Sequence, residues 1–257
     1  MKPLLAALIF FTRLPFWKLG EIPACLFKRV VEWWPAVGWL TGGMMALTLW
    51  ITSYVFPPGI ALLLALGVRI LITGALHEDG LADCCDGIGG GTSRQRVLDI
   101  MKDSHIGTYG VIGLILYFSL LFMALYTLPV STAILLILAG DAWGKGCASQ
   151  IVNVLPYARK EQDSKAKVVY SRMKPMVVLR GCLFAVIPAI PLCLTVSSAG
   201  FLFLLFSVPV IIFALCCLLF KKKLEGYTGD CCGAVFLLCE LSFYLSYYPL
   251  EILWKSF

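Results

Sequence analysis

The sequence predicts an all-α integral membrane protein, about seven transmembrane helices in a single polytopic domain spanning residues 1–257. Three observations predict it. The chain of 257 residues is 60% hydrophobic and 14% charged, against roughly 25% charged residues in an average soluble domain. Several apolar runs approach or exceed the roughly 20 residues that cross a bilayer. The basic residues also fall in alternate loops, as the positive-inside rule requires.

Residues 1–33 form a basic lead-in with Lys2, Arg13, Lys18, Lys28 and Arg29. Its apolar stretch LLAALIFF is too short to span and is followed by Arg13 and Pro15 without a small-residue cleavage site, so it reads as an interfacial anchor. The predicted spans are Trp34–Val55, Ile60–Leu76, Thr108–Leu128, Thr132–Val154, Met176–Val196, Gly200–Phe220 and Cys232–Leu250. Pro57-Pro58-Gly59 and Pro129 mark turns, and the fourth span is interrupted by the Gly-rich stretch from Gly140 to Gly146. Loops after the first, third and fifth spans hold no Lys or Arg. Those after the second, fourth and sixth hold Arg94, Arg96 and Lys102; Arg159, Lys160, Lys165, Lys167, Arg172 and Lys174; and Lys221-Lys222-Lys223. That alternation predicts a multi-pass protein of a prokaryotic cytoplasmic (inner) membrane, with the N-terminus and every motif-bearing loop in the cytoplasm.

Composition excludes other classes. A net charge of +6 is met by basic loops facing an anionic leaflet and calls for no nucleic acid. The eleven cysteines lie in apolar runs or as adjacent pairs without CxxC spacing, as expected of small apolar filler rather than a disulfide framework. No GxxxxGK[ST] motif is present, which argues against an NTP-driven pump. A homo-oligomer is compatible with the sequence.

The chemistry concentrates between His77 and Gly110, where six of the fifteen acidic residues fall: Glu78, Asp79, Asp83, Asp86, Asp99 and Asp103. Asp79, Asp83 and Asp86 stand at i, i+4 and i+7, one face of a helix at about 100° per residue. Asp99 and Asp103 repeat the i, i+4 spacing on a second short helix, and the run from Gly87 to Gly91 can fold the two back on each other. Five converging carboxylates repel unless a cation sits among them, and all-oxygen ligands favour Mg²⁺, Mn²⁺ or Ca²⁺. Thr228-Gly229-Asp230 stands at the start of the last span, either as a phosphate-binding turn with free N–H groups or as an ordinary N-cap. Asp141 and Lys145, at i, i+4, form either an intramembrane ion pair or a phosphate-binding lysine in a cavity. His77 and His105 flank the acidic segment and are placed to orient a neighbour. Arg69, near the middle of the second span, has no assigned role.

With these residues in place, the chain closely resembles the cobalamin synthase (adenosylcobinamide-GDP ribazoletransferase) family. The matching motifs run nearly end to end. They are Phe11-Thr12-Arg13-Leu14-Pro15; Pro35, Gly38 and Gly42-Gly43; Gly74-Ala75-Leu76-His77; Asp79-Gly80-Leu81-Ala82-Asp83 and Asp86-Gly87; Ile100-Met101, Asp103-Ser104 and Ile106-Gly107-Thr108; Tyr157-Ala158-Arg159; and Thr228-Gly229-Asp230 with Gly233-Ala234. The resemblance implies a Mg²⁺-dependent transferase at the cytoplasmic face. The hydroxyl of α-ribazole, or of α-ribazole 5′-phosphate, attacks adenosylcobinamide-GDP, GMP leaves, and adenosylcobalamin or its 5′-phosphate forms.

A fainter likeness links the chain to membrane CDP-alcohol phosphotransferases through Asp83-x2-Asp86-Gly87 and Asp99-x3-Asp103. By that analogy Asp83, Asp86 and Asp99, joined by Asp79 on the same face, ligate metal, and Asp103 is the base. His77, Lys145, Arg159, Thr228, Gly229 and Asp230 are then the expected substrate-binding residues. The chain departs from the family pattern at Lys145, where an Arg is expected, and at Glu78, His105 and Glu225; the Gly-Leu-Gly expected after Arg159 is missing. Two competing activities are a CDP-alcohol phosphotransferase of lipid synthesis and a divalent-cation transporter with Asp79, Asp83 and Asp86 as its pathway. The absent Ala-Arg after Gly87 opposes the first. The placement of the acids outside the bilayer midplane opposes the second.

Overall fold

The computed structural model describes residues 2–159, 169–196 and 198–255, with side chains through Glu251. Its elements are helical: α1 (Lys2–Phe11), α2 (Trp34–Thr52), α3 (Pro58–Thr73), α4 (Leu76–Gly90), α5 (Arg94–Ile100), α6 (Thr108–Tyr126), α7 (Val130–Ser149), α8 (Ile151–Val154), α9 (Pro175–Val186), α10 (Ile190–Thr195), α11 (Ala199–Leu224) and α12 (Gly229–Lys255). Short 3₁₀ turns cover Phe16–Leu19, Ala24–Trp33 and Ile187–Ala189. Lys160, Lys165 and Lys167 of the expected basic loop lie outside the described residues.

The bundle is built around α7 and α12, which pack on each other. α2 and α9 cover α7, and α4 and α11 cover α12. Four helical segments among the described residues are long and apolar enough to cross a membrane: Thr108–Tyr126, Pro175–Thr195, Ala199–Leu224 and Gly229–Glu251. A fifth arises if α3 and α4 count as one broken span. The expectation of about seven is thus not met by length and composition. α2 and α7 have 19 and 20 residues, but their glycines, threonines and the Asp141–Lys145 pair dilute their apolar character. They bury these residues against each other instead of presenting them to lipid.

Three boundaries differ from expectation for identifiable reasons. The second span does not continue into the acidic segment. Gly74 and Ala75 adopt left-handed φ of 65° and 56°, a conformation natural to glycine and costly for alanine, and α4 leaves α3 at 88°. The Gly140–Gly146 stretch does not interrupt its helix; α7 runs through it, and the break falls at Gln150. The fifth span is itself broken at Ile187–Ala189, beside Pro188 and Pro191, where proline removes intrahelical N–H donors.

The N-terminal stretch predicted to anchor at the interface packs into the bundle as α1, burying Ala6, Ala7 and Phe11. The cysteines are free among the described residues, as their filler role requires.

Three motif-bearing loops converge at one end of the bundle. Arg94, at the start of α5, donates from Nε to the Leu224 carbonyl and from Nη2 to the Ala158 carbonyl, both at 2.8 Å. Arg159 Nη2 donates to the Leu98 carbonyl at 3.0 Å. An isolated parallel bridge joins Tyr157 to Tyr227, with Ala158 N–H on the Tyr227 carbonyl at 2.8 Å. Arg94 at the start of α5, Arg159 and the last turn of α11, where Lys221–Lys223 stand on the helix and not in the expected loop, are therefore at one end of the bundle.

Candidate active site

α4 and α12 supply most of the site, and small residues let them touch. A Cβ on Gly80 would stand 2.7 Å from the Asp230 carbonyl oxygen and 3.0 Å from its Cα; one on Gly233 would stand 3.0 Å from the His77 carbonyl oxygen. Both neighbours are backbone, so neither can yield. This reciprocal contact sets the His77–Asp79 turn of α4 beside Thr228-Gly229-Asp230. There α12 begins at Gly229, the buried Thr228 accepts the Cys231 N–H at 3.4 Å, and its hydroxyl donates to Asp230 Oδ2 at 3.2 Å. The turn is thus an N-cap and also lies at the mouth of a hollow.

That first hollow, about 300 Å³, is lined by His77 and Asp79 from α4, Gly229, Asp230 and Gly233 from α12, and Arg159 from the converging loops. Aromatic side chains form much of the remaining wall, including Phe11, Trp34, Tyr157 and Tyr170. Asp79 is exposed, whereas His77 is 2% exposed and Trp34 1%.

A second hollow, about 320 Å³, is lined by Asp86, Asp99 and Asp103 with Arg96, His105 and Gly107. Asp86 reaches from α4 to the start of α6, where Oδ2 accepts the Gly107 N–H at 2.7 Å and Oδ1 the Gly110 N–H at 2.8 Å. A carboxylate on these free N–H groups satisfies orphan donors and complements the helix dipole. Asp99 Oδ1 accepts from Gln95 Nε2 at 2.8 Å. Asp103 lies just past the end of α5, not on it as the i, i+4 spacing suggested. Its Oδ1 meets His105 Nδ1 at 2.7 Å and accepts the His105 N–H at 3.0 Å; these hydrogen bonds hold the exposed Asp103 carboxyl below the usual carboxylate range.

The expected carboxylates are thus distributed over two hollows. Asp79 lies in the first and Asp86, Asp99 and Asp103 in the second; Asp83 stands on α4 at the helical positions between them. Asp79 and Asp86 are seven residues apart, roughly 10 Å of helix rise. The five carboxylates do not converge on one point: among the described residues no three of Asp, Glu, His or Cys are grouped closely enough to hold an ion. The two helices do fold back on each other, but the turn falls later than the run from Gly87 to Gly91 suggested, because α4 continues through Gly90 and α5 starts at Arg94. The glycines of that run let Val97 and Met101 of the next segment pack directly on α4.

Donor chemistry in the second hollow nevertheless suits a hard divalent cation. It offers carboxylate oxygens from three residues, and each Asp86 oxygen retains a further lone pair beyond its N–H contact.

Lys145 lies in neither hollow. It is fully buried and paired with Asp141; its Nζ donates to Thr41 Oγ1 at 3.0 Å and sits 3.9 Å from the Phe236 ring centroid. Thr41 Oγ1 also donates to Asp141 Oδ1 at 2.9 Å. The group holds α7 to α2 and shields a buried cation, the ion-pair alternative of the two left open by the sequence. Arg94, a basic residue of the segment after the second predicted span, is committed to the carbonyls of Leu224 and Ala158.

Sequence reading did not single out Glu240 or Trp34. Glu240 was detectable as a lone carboxylate inside an apolar span, the counterpart of Arg69. Trp34 had no such signal, since a tryptophan at the start of a span reads as an interface anchor.

The fold and site define a polytopic helical membrane protein with carboxylate-lined hollows near one end of its bundle. Comparison with known proteins narrows this. The sequence pattern of the family described as cobalamin-5-phosphate synthase matches residues 3–248. A protein of Leptothrix cholodnii named adenosylcobinamide-GDP ribazoletransferase is 36% identical, covering 94% of this chain and 92% of its own. Proteins of the same name from Leptospira interrogans and Shewanella amazonensis are 33% and 34% identical, each covering 98% of this chain and 95% of its own. No solved structure matches the chain. The chain belongs to the cobalamin-5-phosphate synthase family.

Proposed function

We propose that the protein is a transferase that completes cobalamin assembly, joining adenosylcobinamide-GDP to α-ribazole or α-ribazole 5′-phosphate with release of GMP. The carrying observation is the nearly full-length relationship to proteins named for that reaction. The acceptor's 5′-hydroxyl oxygen forms a bond to the corrinoid-side phosphorus, the bond from that phosphorus to the GMP oxygen breaks, and the hydroxyl proton passes to a base.

Asp103 is that base, kept ionised by His105 and standing at a hollow. Arg159 and the Thr228-Gly229-Asp230 turn hold phosphate oxygens and orient the donor at the first hollow, with His77 behind them. Asp86 and Asp99 in the second hollow, with Asp83 one turn back on α4, would hold Mg²⁺; Asp79 lines the first hollow and stands apart from them. When bound, the ion neutralises pyrophosphate charge and lowers the cost of expelling GMP.

The enzyme works in a prokaryotic cytoplasmic membrane with both hollows facing the cytoplasm. The meeting of Arg94, Arg159 and the Lys221–Lys223 turn of α11 at one end of the bundle supports that orientation.

A substrate panel tests the assignment. Detergent-purified protein should release GMP from adenosylcobinamide-GDP with α-ribazole, release no CMP from CDP-activated lipids with alcohols, and move no divalent cation in proteoliposomes. CMP release or cation uptake in place of GMP release would overturn it.

A further inference from the structure

A groove beside α11 shares no lining residue with either hollow. Val154, Leu155 and Pro156 form one of its walls and the side of α11 from Phe213 to Lys221 the other, enclosing about 790 Å³. That volume lies toward the upper end of ligand pockets, roughly 300–1,000 Å³. Apart from Lys221 and Glu225 the lining is apolar, and its rim faces outward, with Val154 53% and Leu218 64% exposed. The wall opposite α11 is fixed in place. The Pro156 carbonyl accepts the Tyr227 N–H at 2.9 Å, and the Ala158 N–H donates to the Tyr227 carbonyl at 2.8 Å.

Helix length sets the height of this groove in a membrane. α11 is one of the segments able to cross a bilayer and carries Lys221-Lys222-Lys223 in its last turn. At about 1.5 Å per residue, its apolar part from Ala199 to Phe220 rises about 33 Å, close to the roughly 30 Å of a hydrocarbon core. Lys221 therefore stands at headgroup level. From there the groove descends about 12 Å to Phe213, within one leaflet. Glu225, the acidic group at the same end, is met by Arg94 Nε at 3.4 Å. Lys221 is exposed and forms no ion pair or side-chain hydrogen bond among the described residues. The groove is thus an apolar trough with an uncompensated positive charge at its headgroup end.

We propose that this groove holds one anionic glycerophospholipid, with an acyl chain along α11 and the phosphate at Lys221 Nζ. The chain covers the apolar walls, and the phosphate supplies the counter-charge that Lys221 lacks. A zwitterionic lipid brings the same phosphate with a cation of its own, which competes with the lysine, so the site favours the anionic headgroup. The inference goes beyond the reaction proposed above and does not depend on it.

The test uses the full chain in detergent micelles, stripped of lipid and then given phosphatidylglycerol or phosphatidylcholine with matched acyl chains. Bound lipid is counted by native mass spectrometry. The wild type should retain one phosphatidylglycerol per chain in preference to phosphatidylcholine. Lys221→Gln should weaken phosphatidylglycerol retention about fivefold, the value of one lysine beside anionic lipid. Lys222→Gln makes the same charge change at a residue outside the groove lining and should behave as the wild type. Ala214→Trp fills the trough and should displace both lipids. Equal retention of the two lipids by the wild type would overturn the proposal, and that comparison decides even if Ala214→Trp does not fold. Equal losses in Lys221→Gln and Lys222→Gln would show a diffuse surface charge in place of a site and overturn it too. So would a lipid-free dimer that Ala214→Trp splits, which would give the groove to a second copy of the chain. None of these readouts involves GMP release, so a failure of the transferase assignment would leave them standing.

Discussion

Arg69 on α3 directs Nη1 to both carboxylate oxygens of Glu240 on α12, each at 2.7 Å, across 171 residues of sequence. Arg69 is 2% exposed and Glu240 0%. Arg69 Nη2 also donates to Tyr117 Oη at 3.0 Å and lies 3.6 Å from Glu78. Tyr117 and Tyr244 donate to Glu240 at 3.2 Å and 2.9 Å. The cluster pins α3, α4, α6 and α12 together just before the 88° turn that swings α4 into the site. Breaking a buried pair on one side leaves an uncompensated charge and costs about 3–5 kcal/mol. Glu240→Gln should therefore lower the thermal midpoint in detergent markedly, and Arg69→Met with Glu240→Met should recover much of the loss. A double variant no more stable than Glu240→Gln would show that the residues do not act as a pair.

The close approach of Gly80 to the Asp230 backbone predicts a second effect. Gly80→Val places methyl groups against main chain that cannot move aside, an overpacking of about 1–3 kcal/mol. It should separate the His77–Asp79 turn from Thr228-Gly229-Asp230, so activity falls by more than tenfold while the protein remains inserted. Wild-type turnover by this variant would mean that the α4–α12 contact does not set the site.

Asp86 and Asp99 should separate by their structural roles. Asp99→Asn removes an exposed carboxylate and should abolish turnover with an unchanged thermal midpoint. Asp86→Asn also weakens the cap on α6 and should lose turnover together with about 1 kcal/mol of stability. Full activity in Asp99→Asn would withdraw it from the metal-binding set.

The Asp103–His105 contact predicts a pH effect whose sign is fixed. The Asp103 pKa is depressed by hydrogen bonds from His105, so the ionised form that can accept a proton persists to lower pH than for a free aspartate, near 3.9. The stabilisation of that ionised form is present above the unfolded-state pKa and is lost as pH falls through the folded value. His105→Ala should raise the Asp103 pKa toward its ordinary value. In kcat/KM profiles, the acidic limb assigned to Asp103 should move upward while the plateau persists. An unmoved limb would show that Asp103 is not the group titrating there.

Much of the site was legible because its signals are local. The i, i+4, i+7 spacing of Asp79, Asp83 and Asp86 does place them along one helix, and Thr228-Gly229-Asp230 does begin the last one. What escaped depends on backbone conformation or on distant partners. The apolar run continues through Gly74 and Ala75 into Leu76, so periodicity carries no sign of the two left-handed residues that turn α4. α2 and α7 read as ordinary spans because their polar residues satisfy one another across the helix interface, through Thr41, Asp141 and Lys145. Arg69 showed no role until Glu240 appeared beside it. Asp103 was placed on a helix by spacing alone, whereas α5 stops at Ile100 and the carboxylate turns to His105.

The most direct test is a single incubation of detergent-purified protein with adenosylcobinamide-GDP and α-ribazole 5′-phosphate, in Mg²⁺ or in EDTA, following GMP and the corrinoid product by mass. The predicted result is equimolar GMP and adenosylcobalamin 5′-phosphate with Mg²⁺ and neither with EDTA. A well-folded sample that forms neither product with Mg²⁺, whether given the phosphate or free α-ribazole, would contradict the assigned reaction; equal product in EDTA would contradict the metal.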